Sequence, residues 1–343
     1  MRLLVLGGTA WLGGLVAADA VASGHDVTCL ARGESGSVPA GARLVVADRS
    51  ASAPDADPYA AVPGDWDAVV DVARHPAHVR GAVRALGERA AYLTYVSTVS
   101  GYADTSTAGQ DEQAPLVEAF AGAEPTDADY GPAKVACEEA VWQGFGADRA
   151  LVARAGLIGG PGDWSGRTAW WPWRFAHPAS PDGAVVVPVD PALSTQVIDA
   201  RDLAAWLVDC CERATPGLAD AVGPITTLAE HLATAREVAG HTGPILEAEP
   251  DWLVQQGISP WMGPRSLPLW LPTPEYAGFM SRPGDAARAL GLACRPLAST
   301  LADTLAWERD RARREGPDRP WRSGLTDAEA AELVAAWRRR AGS

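Results

Sequence analysis

Short apolar runs alternate with helical patterns through the first half of the chain. The apolar runs predict strands at Leu3–Leu6, Asp26–Leu30, Arg43–Ala47, Ala68–Val72, Tyr92–Ser97 and Ala150–Ala153. Between them, the spacing of apolar positions predicts helices at Leu12–Ser23, His78–Arg89 and Tyr130–Trp142. Parallel strands need long crossover connections, which are usually helical. The alternation therefore predicts an α/β fold with a doubly wound parallel sheet.

The pattern becomes irregular beyond residue 160, where tryptophan and proline accumulate. We expect the sheet to occupy residues 1–160, and a smaller, irregular C-terminal lobe to occupy residues 161–325. Elements near residues 195–225 are expected to return to the sheet. A last helix is predicted over residues 326–343, because Asp327 lies near its start and arginines lie near its end.

Tryptophans cluster at the start of this lobe, with four of them inside a ten-residue stretch from Trp164 to Trp173. Such a cluster can form the core of the lobe or the wall of an apolar pocket that accepts a substrate. Both interpretations stay open from the sequence. We retain Trp164, Trp170 and Trp171 as candidate substrate contacts.

Composition and charge argue against several classes of protein. The 343 residues include 43 Asp and Glu against 29 Lys and Arg, which gives a formal net charge of −14. Nucleic-acid binding needs a basic face, so we expect no nucleic-acid partner. No apolar run approaches the roughly 20 residues that span a bilayer, and the first residues do not resemble a signal peptide. We therefore expect a cytoplasmic protein with no membrane partner.

The cysteine and lysine counts are also informative. The five cysteines show no C-x-x-C spacing, so we expect neither a disulfide framework nor a metal site. Of the 29 basic residues, Lys134 is the single lysine. Arginine replaces lysine on most surfaces, but not where a compact ammonium is required. Lys134 is therefore a functional candidate before any motif is considered.

A glycine-rich loop, Gly7–Gly13 (GGTAWLG), directly follows the first predicted strand and opens a helix. Glycines allow a tight turn and a close approach to a pyrophosphate, whose charge is stabilised at the helix N-terminus. Ala10 departs slightly from the strict glycine pattern. The context favours a dinucleotide site over an ordinary tight turn.

The end of the second predicted strand bears on the choice of cofactor. Enzymes that bind NAD in this way often place Asp or Glu there, to hold the ribose 2′-hydroxyl. This chain has Ala31 and Arg32, and a cation accommodates a 2′-phosphate. We therefore expect NADP(H) to be preferred and NAD(H) to be possible, unless Arg32 is a plain surface arginine. Asp48 and Arg49 could meet the adenine or form a solvated loop pair.

A tyrosine and the single lysine are four residues apart at the start of a predicted helix. This spacing places Tyr130 and Lys134 on one helical face. A cation near a phenol lowers the pKa of the phenol from about 10, which suits proton exchange with a carbonyl or alcohol. Thr98 and Ser100 follow the fifth strand, where hydroxyls face a ligand crevice or form a turn.

These motifs together resemble the extended short-chain dehydrogenase/reductase superfamily, in its epimerase/dehydratase-like branch. The Gly7–Gly13 loop is also similar to that of an atypical subgroup. Residues 154–161 (RAGLIGGP) and 196–204 (QVIDARDLA) look like two later motifs of the superfamily. The resemblance implies a Rossmann-type dinucleotide-binding domain over residues 1–160, a substrate-binding lobe after it, and a homodimer.

The resemblance also implies a role for each matching residue. Tyr130 would be the general acid/base, Lys134 would bind the nicotinamide ribose and tune Tyr130, and Thr98 would supply a hydroxyl. The residues that would line the cofactor are Gly7, Gly8, Thr9, Ala10, Trp11, Leu12, Gly13, Arg32, Asp48, Arg49, Ala73, Lys134, Gly156 and Leu157. The residues that would line the substrate are Ser100, Trp164, Trp170, Trp171 and Gln196.

The expected function is that of an NADP-dependent oxidoreductase acting on a small, partly apolar carbonyl or alcohol. One alternative is an NAD(P)-dependent epimerase of a sugar or sugar nucleotide. A second is a non-catalytic nucleotide-sensing or RNA-binding homologue. Dehydratases of the superfamily carry Asp-Glu directly after the catalytic threonine, whereas Val99 and Ser100 follow Thr98 here, which counts against a dehydratase.

Overall fold

The central element of the fold is a sheet of seven parallel strands. The computed structural model describes residues 1–50, 57–316 and 321–341. Its strands are β1 Arg2–Leu6, β2 Asp26–Ala31, β3 Arg43–Val46, β4 Trp66–Asp71, β5 Ala90–Thr98, β6 Ala150–Ala155, β7 Leu157–Gly159, β8 Val185–Pro188, β9 Ser194–Asp199, β10 Gly217–Ala221, β11 Ile225–Thr227, β12 Ile245–Ala248, β13 Ser259–Trp261, β14 Gly263–Pro264, β15 Ser266–Pro268 and β16 Ser323–Gly324.

Helices connect and cover these strands. They are α1 Trp11–Ala22, α2 Pro76–Leu86, α3 Tyr130–Phe145, α4 Trp170–Ala176, α5 Ala200–Arg213, α6 Leu228–Ala239, α7 Pro250–Gln255, α8 Asp285–Ala289, α9 Leu297–Glu315 and α10 Asp327–Ala341. Single 3₁₀ turns at Val99–Gly101 and Asp127–Asp129 lead out of β5 and into α3. No helix among the described residues combines the length and the hydropathy that a membrane span requires.

The strand order of the main sheet is β10-β6-β5-β4-β1-β2-β3. The order reverses between β1 and β4, which is the switch point where ligands bind in open α/β sheets. In register, Leu6 at the end of β1 is level with Leu30 of β2 and Asp71 of β4. The loops that leave these three strands therefore start at one edge of the sheet. The predicted Rossmann-type α/β fold is confirmed.

Burial on both faces explains why the central strands are almost wholly apolar. In β1, Leu3 and Val5 pack into the core beneath α1 and α5, whereas Leu4 and Leu6 pack beneath α2 and α3. A strand that is covered on both faces has no solvent side, so it shows a continuous apolar run instead of alternation. This is the pattern from which the strands were predicted.

The predicted elements are present, with ends that differ by a few residues. Strand β5 continues to Thr98, one residue beyond the predicted end. Helix α2 begins at Pro76 and not at His78, because the His75 side chain accepts a hydrogen bond from the backbone N–H of Ala77 at 3.1 Å and caps the helix. The last helix is α10, and residues 342–343 of its predicted span lie outside the described residues.

The second half of the chain forms small sheets around a separate apolar core. The pairs are β8 with β12, β13 with β15 and β14 with β16, and a three-stranded sheet has the order β11-β9-β7. Trp170, Trp171 and Trp270 are fully buried in the core between them. Strand β10 returns to the main sheet beside β6. The exact division into two domains stays a prediction.

Candidate active site at the carboxyl ends of the strands

The loop between β1 and α1 is shaped by glycines that no larger residue could replace. Gly7 has φ of +97°, and a Cβ there would lie 2.8 Å from Val72 Cγ2. A Cβ on Gly13 would lie 2.3 Å from the carbonyl oxygen of Gly7. The first turn of α1 has neither a capping side chain at Ala10 nor an acidic residue. Its free N–H groups and the positive end of the helix dipole suit a diphosphate.

The other residues of this loop surround the turn. Gly8 and Thr9 are buried, and Leu12 packs against the core under α1. The indole N–H of Trp11 donates to the carbonyl oxygen of Pro161 at 2.9 Å. This bond joins the glycine-rich loop to the segment that follows β7. The loop predicted to bind the diphosphate is therefore in contact with the end of the motif at residues 154–161.

Arg32 lies just beyond β2, with 56% of its side chain exposed. Its Nε is 3.3 Å from the carboxylate of Glu34, which is itself exposed. The last residue of β2 is Ala31, so an acidic residue does not end this strand. The location agrees with the predicted contact to a 2′-phosphate, which stays a prediction.

Arg49 is not the solvated loop residue that one of its two interpretations expects, and its contact with an adenine stays a prediction. It donates to both carboxylate oxygens of the buried Asp71, at 3.1 and 3.0 Å. Asp71 also accepts a hydrogen bond from the backbone N–H of Ala73 at 2.9 Å. Arg49 is therefore neither solvated nor free, and it fixes the end of β4. Asp48 is exposed and accepts from the backbone N–H of Ser50 at 2.9 Å.

Lys134 is buried beneath the site. Its ammonium donates to the carbonyl oxygens of Ala73, at 2.9 Å, and Val96, and it lies 4.4 Å from the ring centroid of Tyr95. Burial lowers the pKa of Lys134 to about 8. The described contacts thus tie β4, β5 and α3 together through a compact ammonium. A compact ammonium suits a position between two carbonyl oxygens, which agrees with the single lysine here.

Tyr130 begins α3 and is brought to the end of β5 by a close helix contact. A Cβ on the neighbouring Gly131 would lie 2.3 Å from the carbonyl oxygen of Ser100, so α3 packs directly on the turn after β5. Tyr130 is 40% exposed. Thr98 is buried. Its hydroxyl accepts a hydrogen bond from the backbone N–H of Ser100 at 3.2 Å and donates to Ser100 Oγ at 3.3 Å.

Several groups act on the Tyr130 hydroxyl. Desolvation of the phenol group raises its pKa above the ordinary value. The Thr98 hydroxyl opposes this rise, and so do the positive charges of Arg167 and Arg74. The described hydrogen bonds of Lys134 go to backbone carbonyls and not to Tyr130. The cations that act on Tyr130 therefore include two arginines that the sequence did not indicate.

Arg167 is the more enclosed of these two. Its Nε donates to Ser165 Oγ at 3.1 Å, and its guanidinium carbon lies 4.8 Å from the ring centroid of Trp261. Arg74 is 73% exposed on its side chain and lies 3.7 Å from Asp127. Arg74 follows Ala73 at the end of β4, a place where a charged residue could have drawn attention. Nothing in the sequence around Arg167 marks it.

A second cluster of charges lies nearby, wholly buried. Arg154 pairs with Glu138 at 2.8 Å and donates to the hydroxyl of Tyr102 at 2.9 Å. That hydroxyl donates to Asp220 at 2.7 Å, and Arg282 stacks on the ring with its guanidinium carbon 3.1 Å from the centroid. Burial raises the pKa of Asp220 to about 6. This cluster joins α3, β6, β10 and the C-terminal lobe, and no motif in the sequence predicts it.

The remaining candidate residues lie mostly inside the protein. Gln196 donates to the carbonyl oxygen of Arg282 at 2.7 Å. The buried indoles of Trp170 and Trp171 donate to the carbonyl oxygens of Leu325, at 3.2 Å, and Pro268, at 2.7 Å. Trp170 and Trp171 therefore belong to the core of the lobe, which was one of the two interpretations of the tryptophan cluster. Trp164 is 55% exposed and lies under the guanidinium of Arg322. The backbone N–H of Gly156 donates to the carbonyl oxygen of Ala221, and Leu157 is the first residue of β7.

The described residues hold no metal-binding cluster, and a cleft beside α6 adds no second candidate site. No group of three or more His, Cys, Asp or Glu side chains is arranged to hold a metal ion within residues 1–50, 57–316 and 321–341. A cleft of about 610 Å³ lies between α6 and the strands β8 and β12. None of the predicted site residues lines it.

The fold resembles that of solved sugar-nucleotide enzymes. UDP-N-acetylglucosamine 4-epimerase from Bacillus cereus is 16% identical, with a TM-score of 0.66, and the match covers 94% of this chain and 99% of that one. UDP-glucose 4-epimerase from Thermus thermophilus, solved with NAD, is 17% identical, with a TM-score of 0.62 and coverage of 90% and 99%. Bordetella bronchiseptica WbmG, solved with NAD and UDP, is 15% identical, with a TM-score of 0.65 and coverage of 92% and 96%.

These identities are too low to establish more than the shared fold. No family model matches the chain, and no curated protein matches its sequence. The neighbours are named as 4-epimerases or were solved with NAD, and they share the fold that the predicted resemblance implies.

Proposed function

We propose that the protein is an NAD(P)-dependent enzyme of the extended short-chain dehydrogenase/reductase type, and that it epimerises a carbon bearing a hydroxyl group. The observation that carries the proposal is the placement of Tyr130. It is 40% exposed, next to Thr98, at the carboxyl ends of the parallel strands, above the buried Lys134. The structural neighbours that are named as 4-epimerases support this reaction over net reduction of a carbonyl.

The residues at the switch point fit a nicotinamide dinucleotide. The uncapped first turn of α1 and the close approach at Gly7 and Gly13 suit its diphosphate, and Lys134 lies under the neighbouring strand ends. When bound, such a cofactor supplies reversible hydride transfer. The chain itself supplies the binding groups, the orientation of the substrate and the proton transfer.

Tyr130 would take the proton from a substrate hydroxyl and later return it to the same oxygen. The configuration of the carbon would change because the hydride that a bound cofactor accepts from that carbon would return to its opposite face. The phenol can do this near neutral pH only when its ionised form is stabilised. Thr98, Arg167 and Arg74 all act in that direction. Thr98 would also hydrogen-bond the substrate oxygen and hold it near the Tyr130 hydroxyl. No residue that could expel water from a sugar follows Thr98, since Val99 and Ser100 stand there.

The second candidate is the NADP-dependent reductase expected from the sequence, and Arg32 favours it. An arginine beyond β2, with alanine as the last strand residue, accommodates a 2′-phosphate. An epimerase regenerates its cofactor in each cycle and has no need to exchange it. A reductase must release the oxidised cofactor after each turnover. The two candidates therefore differ in whether the cofactor stays bound.

The test compares cofactor retention with turnover. The purified protein is denatured and the released nicotinamide dinucleotide is identified, and UDP-glucose and UDP-galactose are offered to the native protein as first substrates. The epimerase proposal expects retained NAD and interconversion of a sugar nucleotide with no net change in nicotinamide absorbance. Stoichiometric oxidation of added NADPH by a carbonyl compound would select the reductase. Absence of any dinucleotide binding would contradict both and favour a non-catalytic homologue.

We also propose a homodimer, which rests on the resemblance stated from the sequence. Helices α2 and α3 would form the interface, because relatives of this type often pair through the corresponding helices. Sedimentation equilibrium measures the mass directly and gives twice the 35.8 kDa of one chain if the proposal holds. A monomer at all concentrations would contradict it without affecting the proposed chemistry.

A further inference from the structure

We propose that Arg167, held on the face of Trp261, binds an anionic group of the substrate, a carboxylate or a phosphate, beside Tyr130. This inference rests on the proposed function, because it names the class of substrate that the Tyr130 site would take. It assigns a specificity-determining role to a residue from the irregular lobe, where the sequence offers no motif.

The first argument is the lack of a carboxylate partner for Arg167. Enclosed arginines elsewhere in the structure are paired: Arg49 with Asp71, Arg154 with Glu138 and Arg282 with Asp220. Within the described part of the chain, no carboxylate lies within ion-pair distance of Arg167. Its hydrogen bonds to a side chain are both with Ser165, which it meets at 3.1 Å from Nε and 3.3 Å from the backbone N–H.

The carboxylate whose charge acts on Arg167, that of Asp163, is already engaged in hydrogen bonds. Asp163 accepts hydrogen bonds from the backbone N–H of Ser165 at 2.9 Å and from the hydroxyl of Thr168 at 2.9 Å. Asp163 thus organises the turn that carries Arg167, without neutralising it directly. Desolvation lowers the pKa of the Arg167 guanidinium, as expected for an enclosed cation whose charge is not matched.

The second argument is the way in which the guanidinium is held. It lies over the ring of Trp261, and the edge of that ring packs against Phe279 with 5.7 Å between ring centroids. Stacking on an aromatic face fixes the plane of the guanidinium and leaves its N–H fork free to bind a planar or tetrahedral anion with two bonds. A mobile surface arginine would gain nothing from this support.

The third argument is the backbone at Trp261, which has φ of +67°. A bulky residue in the left-handed region is a genuine outlier, and such outliers cluster at functional sites. Trp261 is held there by strand β13 and by a bond from its N–H to the carbonyl oxygen of Trp270 at 2.9 Å. With this backbone conformation, the indole of Trp261 lies under Arg167.

The fourth argument is the location. Arg167 follows Pro161 by six residues, and Pro161 accepts a hydrogen bond from Trp11 of the glycine-rich loop at 2.9 Å, so this segment borders the predicted dinucleotide site. The positive charge of Arg167 also favours the ionised form of Tyr130. An anion bound at Arg167 would therefore neutralise part of the field at the Tyr130 hydroxyl. This coupling gives the inference a readout that does not require a known substrate or any turnover.

The experiment uses inorganic phosphate and acetate as probes on the full chain, with ionic strength held constant by sodium chloride. The ionisation of Tyr130 is isolated as the difference in tyrosinate absorbance between the wild type and Tyr130→Phe during a pH titration. We expect phosphate, acetate or both to raise the pKa of Tyr130 in a saturable way. A response to one probe alone identifies a phosphate or a carboxylate as the preferred group.

Three variants assign the effect to Arg167. Arg167→Gln should raise the pKa of Tyr130 without added anion, and it should weaken the anion response by tenfold or more, since a charge-assisted hydrogen bond contributes about 1.5–3 kcal/mol. Arg167→Lys should keep part of the response. Arg74→Gln is the matched control, because it removes a charge that also acts on Tyr130 but is exposed, and the anion response should survive it.

Equal anion responses in the wild type and Arg167→Gln, or no response in the wild type, would overturn the inference. Arg167→Lys keeps the test valid if Arg167→Gln fails to fold, which circular dichroism would show. The proposed function fails separately, through absence of dinucleotide binding or through full turnover by Tyr130→Phe. An anion response with no catalysis would leave the anion site in place and remove its proposed role in a reaction.

Discussion

Tyr102 and Tyr130 both lie near the end of β5, and both are surrounded by arginines, but the two surroundings differ. Around Tyr102, each arginine has a carboxylate: Arg154 has Glu138, and Arg282 has Asp220. Tyr130 itself is 40% exposed, and within the described part of the chain the enclosed Arg167 has no such carboxylate partner. A buried cation that is paired holds the fold together, whereas one without a pair is available to a ligand. The comparison separates structural charge from functional charge in a small volume.

The largest expected difference between the two tyrosines is in their effect on turnover. Tyr130→Phe should lower kcat by about 10²–10⁴-fold, the contribution of a positioned general acid or base, and leave dinucleotide affinity within about twofold. The phenol touches the reacting oxygen and not the cofactor diphosphate. Steady-state rates and a dinucleotide fluorescence titration measure the two quantities. The matched Tyr102→Phe should lower stability and retain catalysis.

If both phenylalanine variants lose turnover to the same extent, the distinction between the two tyrosines is wrong. In that case the Tyr102 cluster takes part in the reaction or sets the geometry of the site. Intact turnover in Tyr130→Phe would contradict the proposed chemistry directly.

The next effect is on stability. Glu138→Gln should lower the free energy of unfolding by about 3–5 kcal/mol, because it leaves the buried Arg154 without its countercharge. Arg167→Gln should change it by less than about 1 kcal/mol, since no carboxylate loses a partner. Urea unfolding followed by far-ultraviolet circular dichroism measures both. Similar losses in the two variants would mean that Arg167 is as structural as Arg154.

The buried cluster also predicts a pH dependence. The pKa of Asp220 is raised from 3.8 to about 6 in the folded protein, mainly by burial. The folded state therefore keeps its proton while the unfolded chain loses it, so this residue's stabilisation is present below about pH 4 and lost as the pH rises through about 6. The loss from this one group is about 3 kcal/mol at most.

Asp220→Asn isolates this contribution. The variant loses the ion pair with Arg282, so its free energy of unfolding should be lower at every pH. It should also lack the decrease in that free energy that the wild type shows between about pH 4 and pH 6. The measurement is the difference in slope of the unfolding free energy against pH. Identical slopes in the wild type and the variant would show that Asp220 stays ionised across this range.

The sequence predicted the sheet well, because strands covered on both faces are recognisable without any knowledge of their partners. Leu3–Leu6 is apolar at every position for that reason. The importance of Lys134 could also be predicted from the sequence. A single lysine among 28 arginines indicates a site that needs a compact ammonium and not a guanidinium. Both inferences depend on local composition and not on long-range contacts.

The rest depends on contacts between segments far apart in the chain. Trp261 supports Arg167 from almost a hundred residues away, and neither residue lies in a recognisable motif. The predicted action of Lys134 on Tyr130 was reasoned from helical spacing, yet in the structure the ammonium is bonded to backbone carbonyls of β5 and the β4 end. Periodicity predicts that two residues share a face of a helix, but it does not predict which groups their side chains contact.

The smallest expected effect concerns Arg32, which extends the comparison to an arginine that is exposed to solvent. Arg32→Ala should weaken NADPH binding about threefold to tenfold and leave NADH binding unchanged, because a solvated cation contributes less than an enclosed one. Glu34→Gln is the matched control. Its carboxylate lies 3.3 Å from Arg32 and repels a 2′-phosphate, so its removal should strengthen NADPH binding slightly. Fluorescence titrations that show equal changes for both cofactors would assign Arg32 to the surface alone and leave NAD as the cofactor that the epimerase proposal requires.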